Sequence, residues 1–179
     1  MANEERPFEK QELYNGHILV LEKWQVELPN GKTALREIVH HKGAAAIVPV
    51  DDEGRVPMVR QYRVAMGQEM LEIPAGKMDS LGEDPFDCAQ RELREETGLS
   101  ASKWTYLGPY IPSPGYCDEV VHLYLAEKLT AGETDPDDDE FLSVEWMSLS
   151  ELLEMATSGK LHDGKTLAGL LLAARILKV

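Results

Sequence analysis

The stretch Arg91-Glu92-Leu93-Arg94-Glu95-Glu96-Thr97-Gly98-Leu99 decides how the rest of this chain is read. It closes a segment, residues 84–98, with helix punctuation at both ends. Asp84 can cap the start, Pro85 suits the first helical position, and Gly98 suits a left-handed stop. Phe86, Ala89, Gln90, Leu93 and Thr97 form one mostly apolar face of that helix. Glu92 and Glu96 stand one turn apart on a common face, with Glu95 bordering it. Like charges at this spacing cost an isolated helix about 0.2–0.5 kcal/mol per pair. Arg91 and Arg94 can offset part of that cost, and a bound cation can offset the rest. Carboxylate oxygens are hard ligands, so such a cation would be Mg²⁺ or Mn²⁺ rather than zinc. A solvated helix face of mixed charge is the plain alternative.

The surroundings weigh against that alternative. Residues 69–73 read as a strand running into Pro74-Ala75-Gly76, a turn that can offer a backbone carbonyl to the same cation. Further out, residues 17–28 and 33–41 read as strands joined through Asn30-Gly31, a strong hairpin signal. Residues 44–50, 56–63, 104–111, 120–127 and 141–147 also have strand character. Ser148-Leu149-Ser150-Glu151 has capping-box spacing and opens a second helix to about residue 158. A third helix is expected over residues 164–177. Strands with a central helix and terminal helices predict an α/β or α+β sandwich with a mixed sheet.

Length and composition set limits. At 179 residues and 20.0 kDa the chain can bury a core without staples. Its net charge of -14 should repel phosphate backbones, which argues against nucleic-acid and anionic-membrane partners. A small phosphorylated ligand remains open, because a divalent cation can bridge it to an acidic protein. Two cysteines are too few for a disulfide scaffold and have no neighbours at zinc-ligand spacing. The charged first six residues contain no apolar core of a secretion signal, and residues 167–176 are too short to cross a bilayer. A cytoplasmic location is expected.

Residues 76–99, GKMDSLGEDPFDCAQRELREETGL, resemble the Nudix box. The part from Glu83 onward fits the family pattern throughout. The first spacing departs from it: six residues separate Gly76 from Glu83 where the pattern has five, and the extra residue falls near Ser80-Leu81. The resemblance implies a Nudix-type α/β/α sandwich, class α/β (α+β), and hydrolysis of a nucleoside diphosphate linked to another group. It implies Mg²⁺ (or Mn²⁺) held by Glu92 and Glu96, with Glu95 as a further ligand and candidate catalytic carboxylate and the Ala75 carbonyl as a backbone ligand. Gly76, Glu83 and Arg91 are structural positions of the motif, with Glu83 and Arg91 forming a pair.

Other segments resemble the ADP-ribose pyrophosphatase branch of the family. They are Val59-Arg60-Gln61-Tyr62-Arg63, Glu72-Ile73-Pro74-Ala75-Gly76, Pro114 fifteen residues beyond Leu99, Ser113 to Glu119 around it, and Leu35-Arg36-Glu37-Ile38-Val39. That likeness implies hydrolysis of ADP-ribose to AMP and ribose 5-phosphate. It places Arg36 and Glu37 on the substrate across a homodimer, Arg63 on a phosphate or the terminal ribose, and Glu119 on sugar hydroxyls or the adenine side. Residues 1–41 are then an antiparallel β hairpin region that forms the dimer, and residues 42–179 the Nudix hydrolase domain. The plain alternatives are strand-surface charges for Arg36 and Glu37, and a pair with Glu69 or Glu72 for Arg63. Another nucleoside diphosphate sugar as substrate, or a non-catalytic ADP-ribose sensor, is the competing function.

The run Thr134-Asp135-Pro136-Asp137-Asp138-Asp139-Glu140 lacks the glycine a calcium loop needs and has the composition of a solvated loop. In the resembled branch this loop supplies a carboxylate that activates the attacking water, or binds another metal. Glu140 is the first candidate for that base and Asp138 the second. The five histidines have no nucleophile partner in the sequence, and Cys88 reads as a small helix filler.

Overall fold

The computed structural model describes residues 3–132 and 141–179. The chain divides into two compact units, one formed by Met1–Lys42 with Ile111–Val120, the other by Gly43–Tyr110 with Val121–Val179.

The first unit carries a three-stranded antiparallel sheet of β1 (Arg6–Asn15), β2 (Leu19–Glu27) and β3 (Thr33–His41), in the order β1-β2-β3. The Asn30-Gly31 turn forms as expected. Gly31 has φ 76, a left-handed conformation that glycine adopts without strain, and the Asn30 side chain accepts from the Lys32 N–H at 3.0 Å. Strand β1 was not foreseen. Its sequence, RPFEKQELYN, scatters Phe8, Leu13 and Tyr14 among charged and polar residues with no regular alternation, and all ten residues are exposed. Backbone pairing with β2 makes it a strand, without an apolar face to announce it. Residues 111–120 group with this unit through β3: Val39 N–H donates to the Tyr116 carbonyl at 2.7 Å, and Asp118 N–H donates to the Val39 carbonyl at 3.1 Å.

The second unit is the expected α/β/α arrangement. A mixed sheet runs β7-β4-β9-β8, from β4 (Ala44–Val50), β7 (Ala75–Lys77), β8 (Leu99–Tyr110) and β9 (Val121–Ala131). Strands β4 and β9 are parallel and the other pairs antiparallel. A second antiparallel sheet runs β10-β5-β6, from β5 (Arg55–Arg63), β6 (Gln68–Glu72) and β10 (Leu142–Ser148). The helices are α1 (Pro85–Thr97), α2 (Leu149–Thr157) and α3 (Gly164–Leu177).

The two-residue alternation of β4 shows why both faces of the mixed sheet are covered. Ala46, Val48 and Val50 enter a core shared with Leu152, Leu170 and Ala173 of α2 and α3. Ala45 and Ile47 enter a separate core with Cys88, Ala89 and Leu93 of α1. Helix α1 has the expected caps. The Asp84 carboxylate accepts from the Phe86 N–H, and Gly98 sits at φ 71 with its N–H on the Arg94 carbonyl. Its buried face differs from the expected one. Gln90 is exposed, and the buried set is Cys88, Ala89, Glu92, Leu93 and Glu96.

Candidate active site

Glu92 and Glu96 face the interior, 7% and 4% exposed respectively. Two buried carboxylates on one helical stripe cost free energy unless each has compensating partners. The start of β7 supplies one such partner: the Ala75 N–H donates to Glu96 Oε2 at 2.9 Å. The Arg91 guanidinium supplies another, with Nη1 bonded to Glu92 Oε1 at 2.7 Å and to Glu95 Oε2 at 3.0 Å. Its Nη2 reaches the Lys77 carbonyl at 3.2 Å and Glu83 Oε1 at 3.4 Å. Burial disfavours the Arg91 charge, but Glu92 and Glu95 more than reverse this and raise its pKa.

The Glu83–Arg91 pair therefore forms in spite of the extra loop residue. Leu81 is 86% exposed, so the insertion bulges into solvent. Behind it Glu83 Oε2 accepts the Asp79 N–H at 2.6 Å, which anchors the loop to the start of the helix. Gly76 is a close-approach glycine. A Cβ there would lie 2.1 Å from the Glu92 carboxylate. Only a residue without a side chain lets that carboxylate rest against the backbone next to Ala75.

Among the described residues, no group of three or more His, Cys, Asp or Glu side chains is arranged to hold a metal ion. Arg91 bonds an oxygen of each of Glu92 and Glu95. The donor set nevertheless suits a hard divalent cation: the buried carboxylates of Glu92 and Glu96, the first packed so closely on Gly76 that a side chain there would clash with it, the Glu95 carboxylate beside them, and the backbone at Ala75. Glu140 and Asp138, the candidates for the base, lie outside the described residues.

Arg63 forks onto Glu72, with Nε to Oε1 and Nη2 to Oε2 both at 2.8 Å. This is the pair considered from the sequence as the alternative to substrate contact. Its pKa is raised, first by the Glu72 bond and against burial, with Glu96 and Asp163 adding to the effect. Glu72 also accepts from Lys165 Nζ. Burial pushes the Glu72 carboxyl up, but Arg63 and Lys165 more than reverse that and bring it to about 2. Neither Lys165 nor its neighbours Asp163 and Thr166 were singled out from the sequence. The available signal was an acidic cap three residues before a threonine at the start of the last helix.

In the first unit, Arg36 is held by Glu5, with Nε at 2.9 Å from Oε2. Glu37 is exposed on β3, opposite Lys23 of β2. The Glu119 carboxylate stands 3.5 Å from His41 Nδ1. Asp118 accepts the His41 N–H at 2.9 Å and lies 2.5 Å from His40 Nδ1, while Glu22 lies 3.2 Å from His40 Nε2. The bond to Asp118, opposed by partial burial and aided by Glu22, raises the His40 pKa. Adjacent His40 and His41 thus meet different carboxylates of the same loop.

A glycine packed on a helix glutamate, an Arg–Glu brace on that helix, and an α/β/α unit around them define a Nudix-type site. The chain belongs to the Nudix family: the NUDIX domain matches residues 39–170. It is 43% identical over 165 residues to the ADP-ribose pyrophosphatase of Bacillus subtilis, covering 91% of this chain and 89% of that protein. It is 39% identical over 165 residues to the methanol dehydrogenase activator of Bacillus methanolicus, with the same coverage. A crystal structure of an ADP compounds hydrolase superposes with a TM-score of 0.85 at 22% identity, covering 98% of this chain and 95% of that one, which supports the fold. The chain is accordingly an ADP-ribose pyrophosphatase-like Nudix hydrolase.

Proposed function

We propose that this hydrolase cleaves the pyrophosphate bond of ADP-ribose, releasing AMP and ribose 5-phosphate. The observation that carries this reading is the buried Glu92–Glu96 stripe, seated against Gly76 and Ala75 in a chain 43% identical to an ADP-ribose pyrophosphatase. Mg²⁺ or Mn²⁺ held by Glu92, Glu96, Glu95 and the Ala75 carbonyl would neutralise the diphosphate and acidify a bound water. The chain's own residues do the rest. The Ala75 N–H orients Glu96, and Arg91 orients Glu92 and Glu95 while pairing with Glu83. Water attacks one phosphorus and its oxygen stays on that phosphate. The bond from that phosphorus to the bridging oxygen breaks, and the proton passes to one carboxylate of the acidic run, with Glu140 the first candidate and Asp138 the alternative. Arg63 and Glu119 would contact the substrate. Arg36 and Glu37 of the partner subunit would complete the pocket in a homodimer.

Two further features support the dimer and the compartment. The wholly exposed edge strand β1 carries Phe8, Leu13 and Tyr14, and a second copy of the chain would cover them. Both cysteines are free, in keeping with a reducing cytoplasm. No helix among the described residues is long and apolar enough to cross a membrane.

The test is AMP release from ADP-ribose at millimolar Mg²⁺ by the purified chain, and no release rejects the reading. Glu96→Gln retains an acceptor for the Ala75 N–H but loses the charge. It should lower kcat by about 100-fold or more. Its melting temperature should be unchanged or slightly higher, since like-charge repulsion of about 0.2–0.5 kcal/mol is removed. A panel of nucleoside diphosphate sugars compared by kcat/KM tests the substrate. Tight ADP-ribose binding without turnover would favour a sensor instead. Light scattering that gives a monomeric mass at micromolar concentration would refute the dimer.

A further inference from the structure

The first turn of α3 lies far from the Nudix motif in sequence, yet it grips the segment that carries the Ala75 ligand position. Thr166 is fully buried. Its Oγ1 accepts the Ile73 N–H at 2.9 Å and donates to Asp163 Oδ2 at 2.6 Å. The same Asp163 oxygen accepts the Thr166 N–H at 2.9 Å and the Lys165 ammonium at 3.0 Å. Lys165 in turn bonds Glu72. Two consecutive residues, Glu72 and Ile73, are thus held by one helix start, the first through its side chain and the second through its backbone.

The hold continues toward the site. The Pro74 carbonyl accepts the Ile47 N–H at 2.9 Å, and the Ala75 N–H reaches Glu96. Helix α3 is itself pressed close at this point. A Cβ on Gly169 would come within 3.0 Å of both Ile73 and Val48. Capping α3 requires only the bond from the Asp163 carboxylate to the Thr166 N–H. The hydroxyl bridge to Ile73 and the Lys165–Glu72 pair exceed that need.

We infer that Thr166, Lys165 and Asp163 are positioning residues for the divalent-metal site, acting through the backbone of residues 72–75 on the Ala75 ligand and on Glu96. The inference rests on the metal reading above and adds three residues outside the motif. Their side-chain hydrogen bonds are to Glu72, to Ile73 and to one another. Their effect is to remove freedom from a turn whose carbonyl and N–H must both be in register with α1.

The test is Mn²⁺ affinity of the full chain, measured by electron paramagnetic resonance of the free ion, together with the melting temperature. Thr166→Val keeps the shape and removes the bridge, and it should weaken Mn²⁺ binding by about 10–100-fold. Thr166→Ser, which keeps the hydroxyl, should restore the affinity even where its melting temperature stays below that of the wild type. Folded Thr166→Val that binds Mn²⁺ as tightly as the wild type would overturn the inference. Should Thr166→Val not fold, Lys165→Gln decides: weakened Mn²⁺ binding supports the role and unchanged binding overturns it. Glu96→Gln separates the two levels. If it leaves Mn²⁺ uptake unchanged, the metal reading fails and the positioning role fails with it. If it abolishes uptake while Thr166→Val does not weaken it, only the positioning role fails.

Discussion

Gly76→Ala is the sharpest perturbation this site offers. The added Cβ would stand 2.1 Å from the Glu92 carboxyl carbon and one of its oxygens, and 2.2 Å from the other. Ordinary contact begins near 3.4 Å, so the carboxylate must retreat by about 1.3 Å, the difference between 3.4 and 2.1. Glu92 is the end of a flexible side chain, so the fold can survive the change. The carboxylate cannot keep both its place and its 2.7 Å bond to Arg91. A displacement on the order of 1 Å in a catalytic group can cost 100-fold in rate. That is about 2.7 kcal/mol of transition-state stabilisation. The assay is kcat/KM for ADP-ribose at saturating Mg²⁺, with circular dichroism melts alongside. The expected result is a drop of about 100-fold with native secondary structure retained. A well-folded Gly76→Ala protein of wild-type activity would show that the position of Glu92 does not matter, and the site as built here would be wrong.

Three other outcomes follow from the charge pattern. Glu72 has a carboxyl lowered from 4.5 to about 2, so its stabilisation is complete above about 4.5 and is lost as pH falls toward about 2. Urea unfolding at stepped pH should show a loss of roughly 3 kcal/mol at most across that window, and Glu72→Gln should flatten it. His40 behaves oppositely. Its raised pKa means that its stabilisation is full below the ordinary value of 6.5 and fades as pH climbs through the higher folded value, so His40→Gln should remove that part of the alkaline decline in melting temperature. Burial, and then the Glu92 charge, push the Cys88 thiol up to about 12, while Cys117 is partly exposed. Iodoacetamide at neutral pH should alkylate Cys117 in the native chain and leave Cys88 unmodified, as read by peptide mass spectrometry.

Much of the second unit was legible because local signals agreed with the tertiary packing. Asp84, Pro85 and Gly98 marked the ends of α1, and the capping box at Ser148 marked the start of α2. The strand β1 was illegible because pairing, not an apolar face, makes it. The short strand β7 read as part of a turn, since Ala75-Gly76-Lys77 is too brief for any periodicity and is held by β4. Gln90 was placed on the apolar face of α1, where the buried stripe instead takes in Glu92 and Glu96. Spacing showed that those glutamates share a side of the helix. It could not show that the side is the inner one.

The amino-acid order alone determined which carboxylates share a helical face, where that helix starts and stops, and which family's pattern they complete. Those properties depend on neighbours within a few residues, and the chain writes them out directly. The folded molecule decided that Glu92 rests against Gly76, that Arg91 braces three glutamates, and that Thr166 and Lys165 reach back to Ile73 and Glu72. The last two contacts join residues 93 positions apart. Contacts of that kind come from the way helices pack on sheets, and no local pattern encodes them.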